Sequence, residues 1–437
     1  MFKRFFKLDQ HGTTITREVQ AGATTFAAMA YILAVNPAIL AAAGMPIEGL
    51  ITVTAVTAAV STLMMALMTN IPLALAPGMG INAYFAYTVC LGLEVPWQQA
   101  LGLVLVNGFA FLALSLSGIR EKIINVIPFQ LKMAITCGVG LFIAFIGLKN
   151  GGLVIGSNAT LLTHGDLGAP PVLLCFLGIL LTVVLMVRAV PGGIIISIAA
   201  ITIAGVFIPD GLGGRVTQFP EQIVSLPASM GDTFMQFSLG YFTAKPIEAT
   251  TVVLTLLLIA LFDNVGTLIG VTQRAGLLDK NGHLPNAGRA LTADSLGVIA
   301  SAIFGTSNVV SYIESASGVE AGGRTGLVGV TVAGLFVVAL FFTPLIQAIP
   351  AVATAPALVV VGIFMFQSVA QLNLKDLREV APAFIIILAT PLTFSIAEGI
   401  GLGLVAYILI YVGTGRAKDI SFLVYVLAAI FTVHLVS

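Results

Sequence analysis

Asp263 stands in the run TTVVLTLLLIALFDNVGTLIGV, more than ten residues from the nearest basic side chain on either side. An ionisable group so deep in an apolar run is costly, and such groups mark binding or proton-handling sites. On a helix Asp263, Gly266 and Thr267 share a face through i+3 and i+4 spacing, setting a carboxyl beside bare backbone and a hydroxyl that a flat ring can approach. Glu314 lies in SYIESASG, and helical spacing predicts Ser311 and Gly318 on its face. Two carboxyls lining one cavity are a means of coupling a solute to a proton. The bland reading of each is a helix-packing carboxyl bonded to a neighbouring span. Asp294, in LTADSLGVIAS, is nearer the end of its run, where a cap or a link to Arg289 competes with function. Asn36, Asn82 and Asn308 offer donors and acceptors without a charge, and the rings of Tyr84 and Phe85 can stack on a planar ligand or simply pack against helices.

Metal and nucleotide chemistry find little support. His11, His164, His283 and His434 lie in tails or loops, and Cys90, Cys137 and Cys175 sit alone in apolar runs without metal-ligand or disulfide spacing. EAGGRTG at 320 to 326 lacks the order of a phosphate-binding loop and reads as a turn. No cofactor is expected.

These residues need a membrane-embedded scaffold. The 437-residue chain is 58% hydrophobic and 9% charged, with a mean hydropathy of +1.07, whereas soluble domains carry about 25% charged residues. Nineteen basic and nineteen acidic residues give a net charge of zero, so nothing favours nucleic acid as a partner. The charged opening MFKRFFKLDQHGTTITREV reads as a tail rather than a cleaved leader. Apolar runs near 20 to 43, 49 to 69, 72 to 93, 97 to 117, 131 to 149, 171 to 188 and 192 to 208 predict seven spans. After a polar stretch, runs near 247 to 272, 288 to 304, 307 to 322, 326 to 346, 352 to 371, 380 to 397 and 399 to 415 predict seven more. With the N-terminus cytoplasmic, only Lys149, Arg215 and Lys245 of the nineteen basic residues fall outside. Residues 420 to 436 are left open between a fifteenth span and an interfacial helix.

Two features predict a carrier built from two halves. Ile127 and Pro128, then Val139, Gly140, Leu141 and Phe142, match Ile349, Pro350, Val361, Gly362, Ile363 and Phe364 at an offset of 222 residues. An odd number of spans per half inverts the second copy. Each half also holds a run that cannot stay helical throughout: Pro77, Gly78 and Gly80 in LALAPGMGINAYFAYT, and Gly305 to Asn308 in IFGTSNVVSYIESASG. Paired interruptions of this kind point to a transporter's site, although glycine kinks for close helix packing would look similar. The expected organisation is a cytoplasmic tail at 1–19, a first repeat at 20–208, an extracytoplasmic connector at 209–246, a second repeat at 247–415 and a C-terminal segment at 416–437.

FFKLDQHGTTITREVQAGATTFAAMAYILAVNP, LALAPGMGINAYFAY, LFDNVGTLIGVTQRAGLLDKNG, ALTADS and SYIESASGVEAGGRTGL together resemble the adenine/guanine/hypoxanthine permeases, within the nucleobase-cation symporter and nucleobase-ascorbate transporter group. The resemblance covers nearly the whole chain. It implies an all-α polytopic membrane protein with 14 transmembrane segments in two inverted seven-span repeats, divided into a core and a gate, the third and tenth spans interrupted by short extended segments. It implies that Asp263 and Glu314 hydrogen-bond a purine base, that Asn82, Ala83 and Tyr84 line the site, and that Asp294 supports it; Thr267 and Ser311 join the expected substrate-binding set through their spacing to Asp263 and Glu314. Distant uracil carriers read EHVGH where this chain reads DNVGT, so Thr267 replaces a histidine. The expected activity is import of adenine, hypoxanthine or guanine by proton symport across the inner (plasma) membrane, the partners being the base and the lipid bilayer, with a homodimer left open. An anion carrier of the same architecture would call for a basic residue at the second break, and none lies between Arg289 and Arg324. A membrane enzyme using the carboxyls as acid and base, or a passive channel, are the remaining alternatives.

Overall fold

The computed structural model describes residues 2–117, 128–158, 160–211, 213–277 and 287–436. Ile127 of the repeat, with Arg120, Lys122, Lys280 and His283, lies outside the described residues. The chain begins with α1 (Phe2–Phe5), α2 (Ile15–Met29), α3 (Ile32–Ala41) and α4 (Ile47–Thr69). Strand β1 (Leu75–Pro77), helix α5 (Met79–Ala83) and a π-helical segment at Tyr84–Gly92 follow. Next come α6 (Trp97–Leu116), α7 (Phe129–Asn150), a hairpin of β2 (Val154–Ser157) and β3 (Leu161–His164), α8 (Pro170–Val187) and α9 (Gly193–Gly205). A largely irregular stretch leads to α10 (Gly240–Ala244), and then α11 (Pro246–Arg274), α12 (Ala287–Phe304), β4 (Val309–Ser311) and α13 (Ser315–Glu320). The chain finishes with α14 (Leu327–Ala339), α15 (Thr343–Gln347), α16 (Ala351–Phe366), α17 (Leu377–Leu392), α18 (Ile396–Gly413) and α19 (Phe422–Val436).

Among the described residues, eight helical stretches are long and apolar enough to cross a membrane, from Ile15–Ala41 to Ile396–Gly413. Shorter apolar helices occur at Gly193–Gly205, Pro246–Leu261 and Phe422–Val433. One run expected to be a single span departs from that picture: residues 20 to 43 divide at Ala30 and Tyr31 into α2 and α3. Pro37 inside α3 lacks an N–H for the carbonyl four residues back, which weakens the ladder just past the joint. The 15 residues of α19 reach about 22 Å at 1.5 Å per residue, short of a bilayer core of about 30 Å. This helix lies on α18 and also meets α11, burying Val424, Leu427, Ala428 and Phe431.

The packing separates into two groups. In one, α14 lies on α2 and α4, α12 lies between α4 and α6, and α13 rests on α2. In the other, α7 packs most extensively on α16 and next on α17, while α8 joins α9 to α16. The second group is centred on the repeat. A Cβ added at Gly140 would lie 2.8 Å from the Gly362 carbonyl oxygen, and one added at Gly362 would lie 2.4 Å from the Gly140 carbonyl oxygen. Residues 222 apart thus meet each other reciprocally, as positions near a local two-fold axis must. The prolines that open the repeat, Pro128 and Pro350, each cap the following helix in an extended conformation.

Candidate binding site between the two broken segments

Both interruptions become strands, and they pair with each other. β1 and β4 run antiparallel with Leu75 opposite Ser311, Ala76 opposite Val310 and Pro77 opposite Val309. The ladder extends through Gly78 N to Asn308 O (3.0 Å) and Tyr312 N to Ala74 O (3.0 Å). Side chains satisfy what a two-stranded sheet cannot. The Thr62 hydroxyl donates to Leu75 O and accepts from Leu75 N, both at 2.9 Å, Ser315 Oγ accepts from Ala74 N at 3.0 Å, and the Tyr312 hydroxyl donates to Pro77 O at 2.6 Å. Irregular backbone inside a membrane protein persists only with such partners. Gly305 ends α12 at φ +95°, a left-handed conformation favouring glycine, and a Cβ there would meet the Thr233 carbonyl oxygen at 2.4 Å.

Glu314 is the N-cap residue of α13, directly beyond β4. The expectation that Ser311 shares a helical face with it is corrected: Ser311 belongs to the strand, because the β-branched Val309 and Val310 pair with β1 before the helix can begin. Gly318 does lie one turn on. The Glu314 Oε1 accepts a 2.5 Å hydrogen bond from the Tyr31 hydroxyl, at the joint between α2 and α3. Asp263 on α11 lies within electrostatic reach of Glu314, Asp294 and Tyr31. Its carboxyl is half-buried and has no hydrogen-bond partner among the described residues. α11 packs on both β4 and α13, so the two carboxyls share one locus beside the sheet, Glu314 anchored by a phenol and Asp263 without a hydrogen-bond partner among the described residues.

The next residue carries the link from α11 to the sheet. Asn264 Oδ1 accepts from Ser311 N at 2.6 Å, and its Nδ2 donates to Asp294 Oδ2 at 3.0 Å. Asp294 is thereby tied to β4 through a buried amide. Asn82 also proves to be a hub: its Nδ2 donates to Asn36 Oδ1 at 2.7 Å, and Ser307 donates a short hydrogen bond to its Oδ1. Asn36 Nδ2 in turn reaches Thr54 (2.7 Å) and Thr306 (3.2 Å). This network stitches α3, α4, α5 and the second break together. The Asn308 amide is fully buried, with neither polar atom hydrogen-bonded among the described residues.

Thr267 is buried on α11, and Ala83 and Tyr84, at the junction of α5 with the π-helical segment, are fully buried, as is Phe85. The structure thus brings Asp263, Glu314, Asp294, Asn82 and Ser311 around one two-stranded sheet, and buries Ala83, Tyr84 and Thr267 on flanking helices. Sequence reasoning passed over Tyr31, Asn264 and Tyr312. The only available signals were the Asn36–Pro37 pair after Tyr31 and the adjacency of Asn264 to Asp263.

A family model described as Permease family, of the xanthine/uracil type, matches residues 16–431. The adenine permease AdeQ of Escherichia coli is 41% identical over 99% of this chain and 96% of its own length. The guanine/hypoxanthine permease PbuO of Bacillus subtilis is 42% identical over 98% and 99%. Among solved structures, the transmembrane domain of the cyanobacterial bicarbonate transporter BicA superposes with a TM-score of 0.66 over 89% of this chain and 97% of that one, at 16% identity, a likeness of fold alone.

Proposed function

From the premise that the chain belongs to the xanthine/uracil Permease family and is a multi-pass membrane protein, we propose that it is a secondary active transporter importing a purine nucleobase, adenine, hypoxanthine or guanine, by proton symport. One observation carries the reading: α11, which bears Asp263, packs on β4 and on the helix that Glu314 caps, so the Asp263 carboxyl lies within electrostatic reach of the anchored carboxyl of Glu314. A purine offers ring N–H and, in adenine and guanine, exocyclic amino donors along one edge, and two carboxyls are acceptors for such an edge. When the site closes and water leaves, two neighbouring negative charges repel with little screening. Uptake of one proton with the neutral base removes that repulsion, which gives the coupling. The Asn82, Asn36 and Ser307 network and the Asn264 bridge hold the backbone of both breaks in place beneath the ligand.

The fourteen-span count in two inverted repeats, at 20–208 and 247–415, the inner-membrane location and the cytoplasmic N-terminus belong to this proposal, as does a non-enzymatic role. The reciprocal contact of Gly140 and Gly362 supports the repeat, the bias of basic residues supports the orientation, and the permease family supports the non-enzymatic role. Alternating access follows from moving the group built on α2, α4, α12 and α14 against the group built on α7, α16 and α17. The bicarbonate transporter's fold does not transfer its substrate, because in this chain the locus holds carboxyls, which repel an anion.

Uptake of radiolabelled adenine, hypoxanthine, guanine and uracil into cells lacking their own carriers, with and without a protonophore, tests the proposal. Purine uptake abolished by the protonophore, and lost in Asp263→Ala at normal expression, is the expected result. A well-expressed protein that takes up none of the bases would refute the purine reading, and uptake indifferent to the protonophore would refute proton coupling.

A further inference from the structure

Tyr31 is a buried phenol, 1% exposed, at the one interruption of the first span. A fully buried hydroxyl must find a partner, and this one reaches the Glu314 carboxyl, 283 residues away in sequence, at 2.5 Å. That length is characteristic of a hydroxyl donating to a charged oxygen. The contact is not left to side-chain flexibility. α13, which Glu314 caps, is pressed onto α2 so closely that a Cβ at Gly318 would lie 2.7 Å from the Ala21 carbonyl oxygen and 2.1 Å from Thr25 Oγ1. Backbone against backbone fixes the end of α2 over the start of α13. The phenol also lies within electrostatic reach of Asp263.

We propose that Tyr31 is a positioning residue that determines specificity: its hydroxyl occupies Glu314 Oε1 and fixes the carboxyl so that the other oxygen is the acceptor for a ligand N–H. This deepens the purine-transport reading and rests on it. A glutamate side chain has three rotatable bonds, and an unanchored one pays for its ordering on every binding event. With Oε1 occupied, Glu314 offers one acceptor at a fixed place, so bases are ranked by where their donors lie.

The test is Tyr31→Phe, which removes one oxygen and keeps the ring that packs the joint. Initial rates of radiolabelled adenine and hypoxanthine uptake would be measured over a range of concentrations, alongside the melting temperature of the purified protein. The expected result is a KM raised about 10-fold or more for the preferred base, a Vmax within about twofold of wild type, and an altered ratio of adenine to hypoxanthine KM values. If uptake is too slow for kinetics, equilibrium binding of the labelled base to purified protein takes its place, with the same shift expected in Kd. Unchanged KM or Kd overturns the proposal, as does a drop in Vmax and melting temperature at constant KM. Failure of the variant to fold would show that the hydroxyl serves stability and would also overturn it. Wild-type protein that transports no purine defeats the functional reading itself, and this inference with it.

Discussion

Replacing Asn264 with leucine removes an amide that bridges two buried partners while keeping side-chain volume similar. Ser311 N, in a residue 4% exposed, loses its acceptor at 2.6 Å, and Asp294 Oδ2, in a residue 2% exposed, loses a donor at 3.0 Å. Leaving a buried amide N–H without a partner costs about 1–3 kcal/mol, and a hydrogen bond to a charged group contributes about 1.5–3 kcal/mol. The sum, about 2.5–6 kcal/mol, is a large share of a typical stability of about 5–15 kcal/mol. It falls on β4, so Ser311 and the Glu314 cap that follows should shift. The expected outcome is a melting temperature in detergent lowered by roughly 5 °C or more, with uptake per folded molecule reduced at least tenfold. Asn264→Asp keeps an acceptor for Ser311 N but sets a second carboxyl against Asp294, and it should be no better tolerated. Thermal unfolding of the purified variants and initial uptake rates normalised to protein in the membrane check this. A leucine variant with wild-type melting temperature and KM would refute the idea that this bridge holds the sheet.

Glu18 is fully buried and accepts from Thr13 Oγ1 (2.8 Å), Arg324 N (2.8 Å), Thr325 N (3.1 Å) and Thr325 Oγ1 (2.6 Å), so Glu18→Ala leaves buried donors unpaired at about 1–3 kcal/mol each, read as a lower melting temperature with KM little changed. Gly362→Ala places its Cβ 2.4 Å from the Gly140 carbonyl oxygen and 2.7 Å from Ala144 Cβ, so α7 and α16 must part; a loss of about 1–3 kcal/mol is expected, and unaltered thermal stability would refute the close approach. Asp376 caps α17, and hydrogen bonding from the Arg378 side chain holds its carboxyl down to about 2. A depressed folded-state value gives stability that is present above the unfolded value near 4 and is lost as pH falls through about 2. The melting-temperature difference between wild type and Asp376→Ala should therefore be constant from pH 7 to 5 and shrink only below about pH 4.

Much of the scaffold was legible in the residues. Apolar runs bounded by Gly, Pro and charge placed α4, α6, α7, α8, α11, α12, α16 and α18 within a few residues of their observed ends, because an uncharged stretch of that length has few other ways to satisfy its backbone. Pro77, Gly78 and Gly305 marked both interruptions, since their effects on φ and on hydrogen bonding act within one turn of chain. The match of Val139–Phe142 to Val361–Phe364 was visible, and the fold brings Gly140 of the one against Gly362 of the other. Asp263 and Glu314 stood out because a carboxyl in an apolar run has no cheap structural use.

What the sequence determined by itself is thus where helices run, where they cannot continue, and which ionisable groups are stranded among apolar neighbours. These are local properties, fixed by each residue's backbone preferences and transfer cost. Which partners those groups find was decided only by the tertiary structure: the pairing of β1 with β4, the Tyr31 phenol on Glu314, the Asn264 bridge from Asp294 to Ser311 and the chain of hydrogen bonds from Ser307 through Asn82 to Asn36. Each of these joins residues 30 to 283 positions apart, and tyrosine, asparagine and serine occur as readily in packing roles as in sites. Only the folded chain, in which buried donors must meet acceptors, selects the partner each one keeps.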